Sequence, residues 1–486
     1  MDDIDNLRQE LIESKTFCFH PFLELSINPA GHVKPCCYYD GYLYNDATNS
    51  FVIDGYLLHD SSKPNYINKD FNNTVNLQNK DTTLEKVWSG ESIKLVRKEL
   101  WEGKGDSLHA CNICQRDGKA SMRVRGINEY KNNREVLQLV KHAIENDFSV
   151  NQFPKRLELK PSNLCNLKCV MCNSYDSSQI AKELDELSEK YSGITIWGGR
   201  LVPKLYDTIT PIIKGNNVVS DYDKHIIELK LENDNYSDRP EFWESFCKMV
   251  PNLETLSFAG GEPTLLPFVE KALLYCVETG HSKHITVFCS SNITNINKKF
   301  LKIIPQFKLF EMICSVDGYK GVQEYSRFPS KWSQIEKNYT ELKSLMSHTN
   351  VKVLLNITVN SLNVSNLDEF LYWIEEQYQV YPYFSFWPFN LNLLWTPSYQ
   401  QVTMLPVEVK NKAIEKLEVY KKTSKILQDF PGLDSKINLV INELQKHDPE
   451  FVKTNIEEFS KIIKVLDEHR KIDIDTYIPS LKGVYK

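Results

Sequence analysis

The chain has no basic excess, no apolar run long enough to span a membrane, and no apolar segment behind its first charged residues. Its formal charge is −6 over 486 residues, so a phosphate backbone is not an obvious partner. No RNA-binding module is recognisable either, which disfavours nucleic acid. A membrane helix needs about 18 to 20 consecutive apolar residues, and nothing approaches that. The opening "MDDIDNLRQELIESK" lacks the apolar core of a secretory leader. These absences point to a cytoplasmic protein with no membrane partner. With 41% hydrophobic and 25% charged residues, the length suits about three globular domains.

What the chain does have is cysteine, unevenly placed. Twelve cysteines are present, and a reducing compartment argues against disulfides. Cys247, Cys276, Cys289 and Cys314 sit singly in apolar segments and read as small buried hydrophobes. The other eight form three groups: Cys18 with Cys36 and Cys37, Cys111 with Cys114, and the trio Cys165, Cys169 and Cys172 in "NLCNLKCVMCN".

Three regions follow from the local patterns. Residues 1–150 read as a small hairpin-plus-helix unit. "FLELSINPAGHVKPCC" gives two short strands about a Pro-Ala-Gly turn, which delivers Cys36 and Cys37 at its far end. "DTTLEKVWSGESIKLVRKELWEG" predicts a helix with Thr82 and Glu85 at capping-box spacing, leading into "HACNICQRDG". Hairpin, helix and CxxC loop would bring four or five thiolates to one point. Residues 151–400 alternate short apolar strands ("KRLELK", "LETLSFA", "HITVFCS", "LFEMICSV", "VKVLLNITV", "YFSFWPF") with amphipathic helices. Such alternation implies parallel strands with ligands at their carboxyl ends. Within it, residues 175–250 read as irregular. Residues 401–486 read as a helical cap carrying no chemistry.

The trio follows the first strand of the alternating region, in a loop marked by Pro161, Asn163 and Asn166. Three thiolates suit a catalytic zinc with an open position, or a 4Fe-4S cluster with one iron unligated. Structural zinc usually takes paired two-residue knuckles, and no second pair lies near this strand.

CxxxCxxC after a first strand resembles the signature of the radical S-adenosylmethionine (radical SAM) enzymes, whose fold is a partial (β/α)6 barrel. "FAGGEP" ends the next strand, where that family's GGE motif binds the methionine amino group. The resemblance implies cofactor contacts at Gly260, Gly261, Glu262 and Pro263, then Ser291 and Asn292, Ser315 and Asp317, and Asn356 and Thr358 at the ends of later strands. Arg327, in "EYSRFPSKW", stands where related sequences carry a carboxylate-binding arginine. Many members have an aromatic residue before the third cysteine. Met171 stands there in this chain, so an adenine contact would be aliphatic. The resemblance further implies S-adenosylmethionine as cofactor, a 4Fe-4S cluster on the catalytic Cys165, Cys169 and Cys172, and a low-potential electron donor such as flavodoxin or ferredoxin.

The N-terminal unit carries a second resemblance. Cys18, Gly31 and Cys36 are spaced like the opening of the SPASM and twitch modules, which hold auxiliary iron-sulfur clusters. Cys111 and Cys114 would complete four ligands for a second 4Fe-4S cluster. No further cysteine follows Cys114 before the barrel, so the one-cluster twitch form fits better. Cys37 is the alternative to Cys36, and His20 and His109 are further candidate ligands. A four-thiolate structural zinc site is the rival reading.

By resemblance, auxiliary clusters accompany peptide-modifying enzymes and small-alcohol dehydrogenases. The expected activity is hydrogen abstraction from a peptide, peptide-like or amino-acid-derived substrate, ending in oxidation or bond formation. The alternatives are a radical SAM enzyme acting on a non-peptide small molecule, and a metal-stabilised binding or redox-sensing protein.

Overall fold

Alternation of apolar and polar side chains at a two-residue period fixes which face of each strand is buried. The computed structural model describes residues 3–39, 43, 74–105, 107–111, 114, 118, 121–190, 194–197, 200–203, 235–380 and 387–485. The strands, in chain order, begin with β1 (Glu24–Ile27), β2 (Val33–Lys34), β3 (Arg156–Leu159), β4 (Lys168–Cys169), β5 (Ile194–Trp197) and β6 (Arg200–Pro203). They continue with β7 (Thr255–Phe258), β8 (Thr286–Ser291), β9 (Leu309–Ser315), β10 (Arg327–Phe328), β11 (Val351–Val359) and β12 (Phe389–Leu393). The fold is α/β, with helices between the successive strands β7, β8, β9, β11 and β12. No helix among the described residues is long and apolar enough to cross a membrane.

The chain divides into two compact units. The first is Met1–Asn163, Glu228–Gly261 and Leu266–Phe288; the second is Leu164–Ile227, Glu262–Leu265 and Cys289–Lys486. In the first unit the strand order is β2-β1-β3-β7. β1 and β2 form the expected antiparallel hairpin. The turn between them needs Gly31, whose φ is +85° and where a Cβ would meet Asn76 Oδ1 at 2.6 Å. β1 also pairs in parallel with β3, and β3 with β7, so this hairpin extends the parallel sheet.

The helix expected from "DTTLEKVWSGESIKLVRKELWEG" is two helices, Leu84–Trp88 and Glu91–Glu102, parted at Ser89 and Gly90. Thr83, not Thr82, caps the first by accepting from the Lys86 N–H. Glu85 reaches Ser245 Oγ (2.5 Å) and Lys248 Nζ (2.9 Å) instead of closing a capping box. Arg97 on the second helix is fully buried. It donates to the carbonyls of Pro21 (2.8 Å), Phe148 (3.0 Å) and Trp88 (3.3 Å), and lies 4.4 Å from the Trp88 ring. One guanidinium thereby fixes the backbone just after Cys18.

In the second unit β9, β11 and β12 are parallel, with β11 central. β11 alternates buried and half-buried residues along its nine positions, and the helix Trp332–Leu345 packs against it. β8 begins in the first unit and ends in the second. The stretch expected to be irregular holds the helices Ser178–Lys190 and Pro240–Met249. Ile180, Leu184 and Leu187 supply the apolar stripe of the former, and Pro240 opens the latter at its first turn. The segment "KGNNVVSDYDKH" lies outside the described residues, as does most of "YFSFWPF". The C-terminal region is helical as expected: Val407–Thr423, Lys425–Asp429, Gly432–Leu444 and Pro449–Arg470.

Replacing Arg97 by Met leaves three buried carbonyls without their donor. The expected result is a loss of about 3 kcal/mol of stability, read as a lower urea midpoint with an unchanged slope.

Candidate functional site

The trio of cysteines sits on a loop with little regular structure of its own, so its shape is set by other contacts. Cys169 lies in β4, whose antiparallel partner is β10, and the register places Cys169 opposite Arg327 and Lys168 opposite Phe328. The Val170 N–H extends that ribbon by donating to the Ser326 carbonyl at 2.8 Å, and the Cys172 N–H turns back to the Cys169 carbonyl at 3.0 Å. Ahead of the ribbon, the Cys165 N–H donates to Ser178 Oγ (3.3 Å) and Ser177 Oγ donates to the Leu167 carbonyl (2.7 Å). Two serines at the start of one helix thus hold the first cysteine.

Cys165 and Cys169 pack with Leu167 and Met171 in one apolar cluster, with Cys172 and Leu394 at its edge. Burial pushes the Cys165 thiol up to about 11 and the Cys169 thiol up to about 12. Such thiols are inert nucleophiles at neutral pH, and they become thiolates when a metal takes the place of the proton. Two cationic or polar donors face them: Arg327 Nη1 is 3.8 Å from Cys169 Sγ and Asn292 Nδ2 is 3.9 Å from Cys165 Sγ. Three soft donors packed among apolar side chains, with facing N–H groups, fit an iron-sulfur cluster.

Glu262 organises a second part. It is 1% exposed, and its carboxylate accepts from Ser291 Oγ (2.6 Å), the Asn292 N–H (2.6 Å), Thr264 Oγ1 (2.6 Å) and the Thr264 N–H (3.1 Å). Burial holds its pKa above the ordinary carboxylate value against those four donors. Asn292, oriented in this way, also donates to Asn166 Oδ1 at 3.0 Å inside the cysteine loop. The Glu262 N–H donates to the Leu164 carbonyl at 2.8 Å. Glu262, Ser291, Asn292 and Cys165 therefore form one connected set. Pro263 is buried at the start of the short turn Pro263–Leu265. In the first unit, Gly260 has φ +100° and lies so close to Lys160 and the Ser162 carbonyl that a Cβ would sit 3.0 Å from each.

Asp317 organises a third part. It is fully buried; one oxygen accepts from Arg327 Nε (2.6 Å) and the other from the Thr358 N–H (2.7 Å). Asp317 thus aims the arginine and ties it to the end of β11. Ser315 lies beside Asn356 in the β9–β11 register. Asn356 does not stand alone: its Oδ1 accepts from Asn390 Nδ2 (3.2 Å) and Asn392 Nδ2 (2.7 Å) on β12. These two asparagines were not anticipated, although their alternate spacing puts both on one strand face. Thr264, Asn166 and Gln400, whose Nε2 donates to the Val170 carbonyl (3.0 Å), were also missed.

In the first unit, Cys18, Cys36, Cys111 and Cys114 line one cavity together with Lys15 and Arg123. Burial pushes the Cys18 thiol up to about 12 and raises that of Cys36. Four thiols with two flanking cations, and no carboxylate among the described lining residues, fit an anionic thiolate-bound cluster. Cys37 is not part of that wall; its thiol lies within 4.8 Å of the Glu24 and Glu158 carboxylates. His20 also borders the cavity, but its ring nitrogens meet Glu24 Oε2 (2.7 Å) and the Met122 carbonyl (3.2 Å). Although burial opposes its charge, Glu24 raises the His20 pKa. The His109 side chain lies outside the described residues.

Residues 18–115 match the SPASM family. Its description is an iron-sulfur cluster-binding domain, and the matched interval opens at Cys18 and closes one residue after Cys114. Among solved structures, native anSMEcpe with bound AdoMet is 19% identical at a TM-score of 0.33, covering 56% of this chain and 60% of that one. Native anSMEcpe with bound AdoMet and Kp18Cys peptide is 18% identical, with a TM-score of 0.32 and coverage of 54% and 59%. Streptococcus suis SuiB bound to precursor peptide SuiA is 14% identical, with a TM-score of 0.30 and coverage of 70% and 67%. The chain thus spans about 60% of the length of anSMEcpe. No curated protein matches.

Two outcomes follow from this geometry. Cys36→Ala should remove iron from the N-terminal site while Cys37→Ala leaves iron content unchanged, read by metal analysis of the reconstituted chain. Asp317→Asn should remove the charge that neutralises Arg327 and turn an N–H toward one of the two donors it now accepts from, Arg327 Nε or the Thr358 N–H. The chain should lose about 3 kcal/mol of stability, measured by denaturant titration.

Proposed function

We propose that this chain is a radical SAM enzyme. In this reading Cys165, Cys169 and Cys172 hold a 4Fe-4S cluster with one open iron, and Cys18, Cys36, Cys111 and Cys114 hold an auxiliary one. The observation that carries it is the convergence within one unit of the three thiols with the Glu262 and Asp317 networks. A lone three-thiol loop would also serve zinc. A loop tied to an aimed arginine and to a carboxylate hub is built to receive a ligand beside the metal.

Held by Cys165, Cys169 and Cys172, such a cluster would supply a low-potential electron, down to about −700 mV for this class, suited to reductive cleavage of S-adenosylmethionine to methionine and a 5'-deoxyadenosyl radical. The protein's own part is placement. Arg327 is held through its Nε by Asp317 and turns Nη1 toward Cys169 Sγ, which in this reading sets its remaining edge, beside the cluster, to meet a carboxylate. The Gly261 N–H donates to the Ser162 carbonyl at 3.1 Å, which fixes the turn. Met171 and Leu394 pack apolar surface against the cysteines, which lowers the local dielectric and strengthens electrostatic contacts there. Ser315, Asn356, Thr358, Asn390 and Asn392 give β9, β11 and β12 an uncharged polar face at their carboxyl ends. Such a face suits hydroxyl and amide groups better than phosphate.

The auxiliary-cluster pattern over residues 18–115 supports a peptide or amino-acid-derived substrate and an outcome of oxidation or bond formation. The electron donor in this reading is a flavodoxin or ferredoxin.

The deciding experiment is anaerobic reconstitution of the parent and of a Cys165/Cys169/Cys172→Ala variant. It is followed by iron analysis and a dithionite-dependent assay for 5'-deoxyadenosine. The expected result is about eight irons in the parent, about four in the variant, and nucleoside from the parent only. Consumption of S-adenosylmethionine to S-adenosylhomocysteine, without 5'-deoxyadenosine, would overturn the reading.

A further inference from the structure

The C-terminal helices carry no chemical motif, yet the end of the helix Pro449–Arg470 makes a concentrated set of contacts with the cysteine ribbon. Arg470 forms a two-point ion pair with Glu183, Nε to Oε1 at 2.9 Å and Nη2 to Oε2 at 2.6 Å, with both side chains 3% exposed. Its guanidinium also lies 5.3 Å from the Phe328 ring. Lys168 reaches the same carboxylate at 3.4 Å, and His469 approaches it at 3.8 Å. Lys168 and Phe328 are the paired residues next to Cys169 and Arg327 in β4 and β10. One turn earlier, Asp467 accepts from Tyr325 Oη at 2.7 Å, two residues before Arg327. Arg470 thus touches Phe328 of β10 directly and shares the Glu183 carboxylate with Lys168 of β4. Asp467 holds Tyr325 just ahead of β10, so one helical turn bears on a ribbon that has only two residue pairs.

A ribbon that short has no register of its own, because slipping it by one residue forfeits few hydrogen bonds. Slippage would move Cys169 away from Arg327 and turn its side chain to the opposite face. A buried two-point ion pair is an expensive way to gain stability, since an apolar pair of equal volume often does better. Its advantage is directional: the guanidinium fork accepts one arrangement of carboxylate and ring.

We infer that Arg470, with Glu183, is a positioning residue for the three-cysteine site, holding β4 and β10 in the register that sets Cys169 against Arg327. This rests on the reading of that loop as a cluster site.

The test uses the full chain with Arg470→Met, Arg470→Lys and Glu183→Gln, each reconstituted anaerobically. Iron per chain, the electron paramagnetic resonance spectrum of the dithionite-reduced protein with and without S-adenosylmethionine, and far-ultraviolet circular dichroism are read together. Arg470→Met is expected to keep its helical signal and the N-terminal iron, while its three-cysteine site binds iron about tenfold more weakly. The residual signal should respond less to S-adenosylmethionine. Arg470→Lys keeps the charge without the fork and should fall between Met and parent, even where the Met variant fails to fold. Parent iron and parent spectra in both Arg470 variants, with only a lower melting temperature, would overturn the inference. If the Cys165/Cys169/Cys172→Ala variant held as much iron as the parent, the site reading itself would fail, which is a separate outcome.

Discussion

The pairing of Cys169 with Arg327 is the constraint on which the three-cysteine site depends. A CxxxCxxC loop is too short to enclose its own core and has few backbone partners within itself. Without an outside reference its three thiols would sample many arrangements, and ordering each loop residue costs about 1 to 2 kcal/mol. Here the reference is a two-pair ribbon, β4 on β10. Several further contacts hold that ribbon or the loop on either side of it. Ser177 and Ser178 fasten the loop before it, Gln400 fastens the loop after it, and Asp317 sets the arginine inside it.

Charge explains why the arrangement needs so many polar partners. A buried thiol is stable as a neutral group, and burial is the largest cause that raises Cys165, Cys169, Cys18 and Cys36, with neighbouring thiols and carboxylates adding to it. Converting several of them to thiolates around a cluster requires compensating positive charge or N–H donors nearby. Each site has its own supply. The trio has Arg327 and Asn292, and the N-terminal cavity has Lys15 and Arg123. Arg327 would itself be costly to bury alone, which is why Asp317 is present. The carboxylate that neutralises the arginine also receives the Thr358 N–H, so charge balance and strand ends are settled by one side chain.

Much of this was legible in the residues. Short apolar runs announced β3, β7, β8, β9 and β11, because strands that enter a core carry their apolar residues in local sequence. The cysteine spacing and "FAGGEP" named the two loops that the structure links through Asn292 and Glu262. Local signals failed where two solutions were locally equivalent. Thr82 and Thr83 are chemically the same cap, and only the position of the helix in its unit selects the second. The stretch from 175 to 250 read as loop because its polar segments outweighed the Ile180, Leu184 and Leu187 stripe. Asn356 was read alone, since nothing local says that Asn390 and Asn392 lie on the neighbouring strand.

The least legible feature is the one that acts over the longest sequence distance. Arg470 is 287 positions from Glu183, and neither residue sits in a motif. In an amphipathic helix rich in lysine and glutamate, an arginine and an acid on separate helices read as solvated charge. What distinguishes them is burial, and burial of a charged pair is a property of the folded packing alone. The same holds for Asp317 and Arg327, where ten residues of chain separate two groups that meet at 2.6 Å. Motifs name the atoms that would touch a ligand. The groups that keep those atoms in place are chosen by which surfaces the fold brings together, so they surface only when buried charges are traced to their partners.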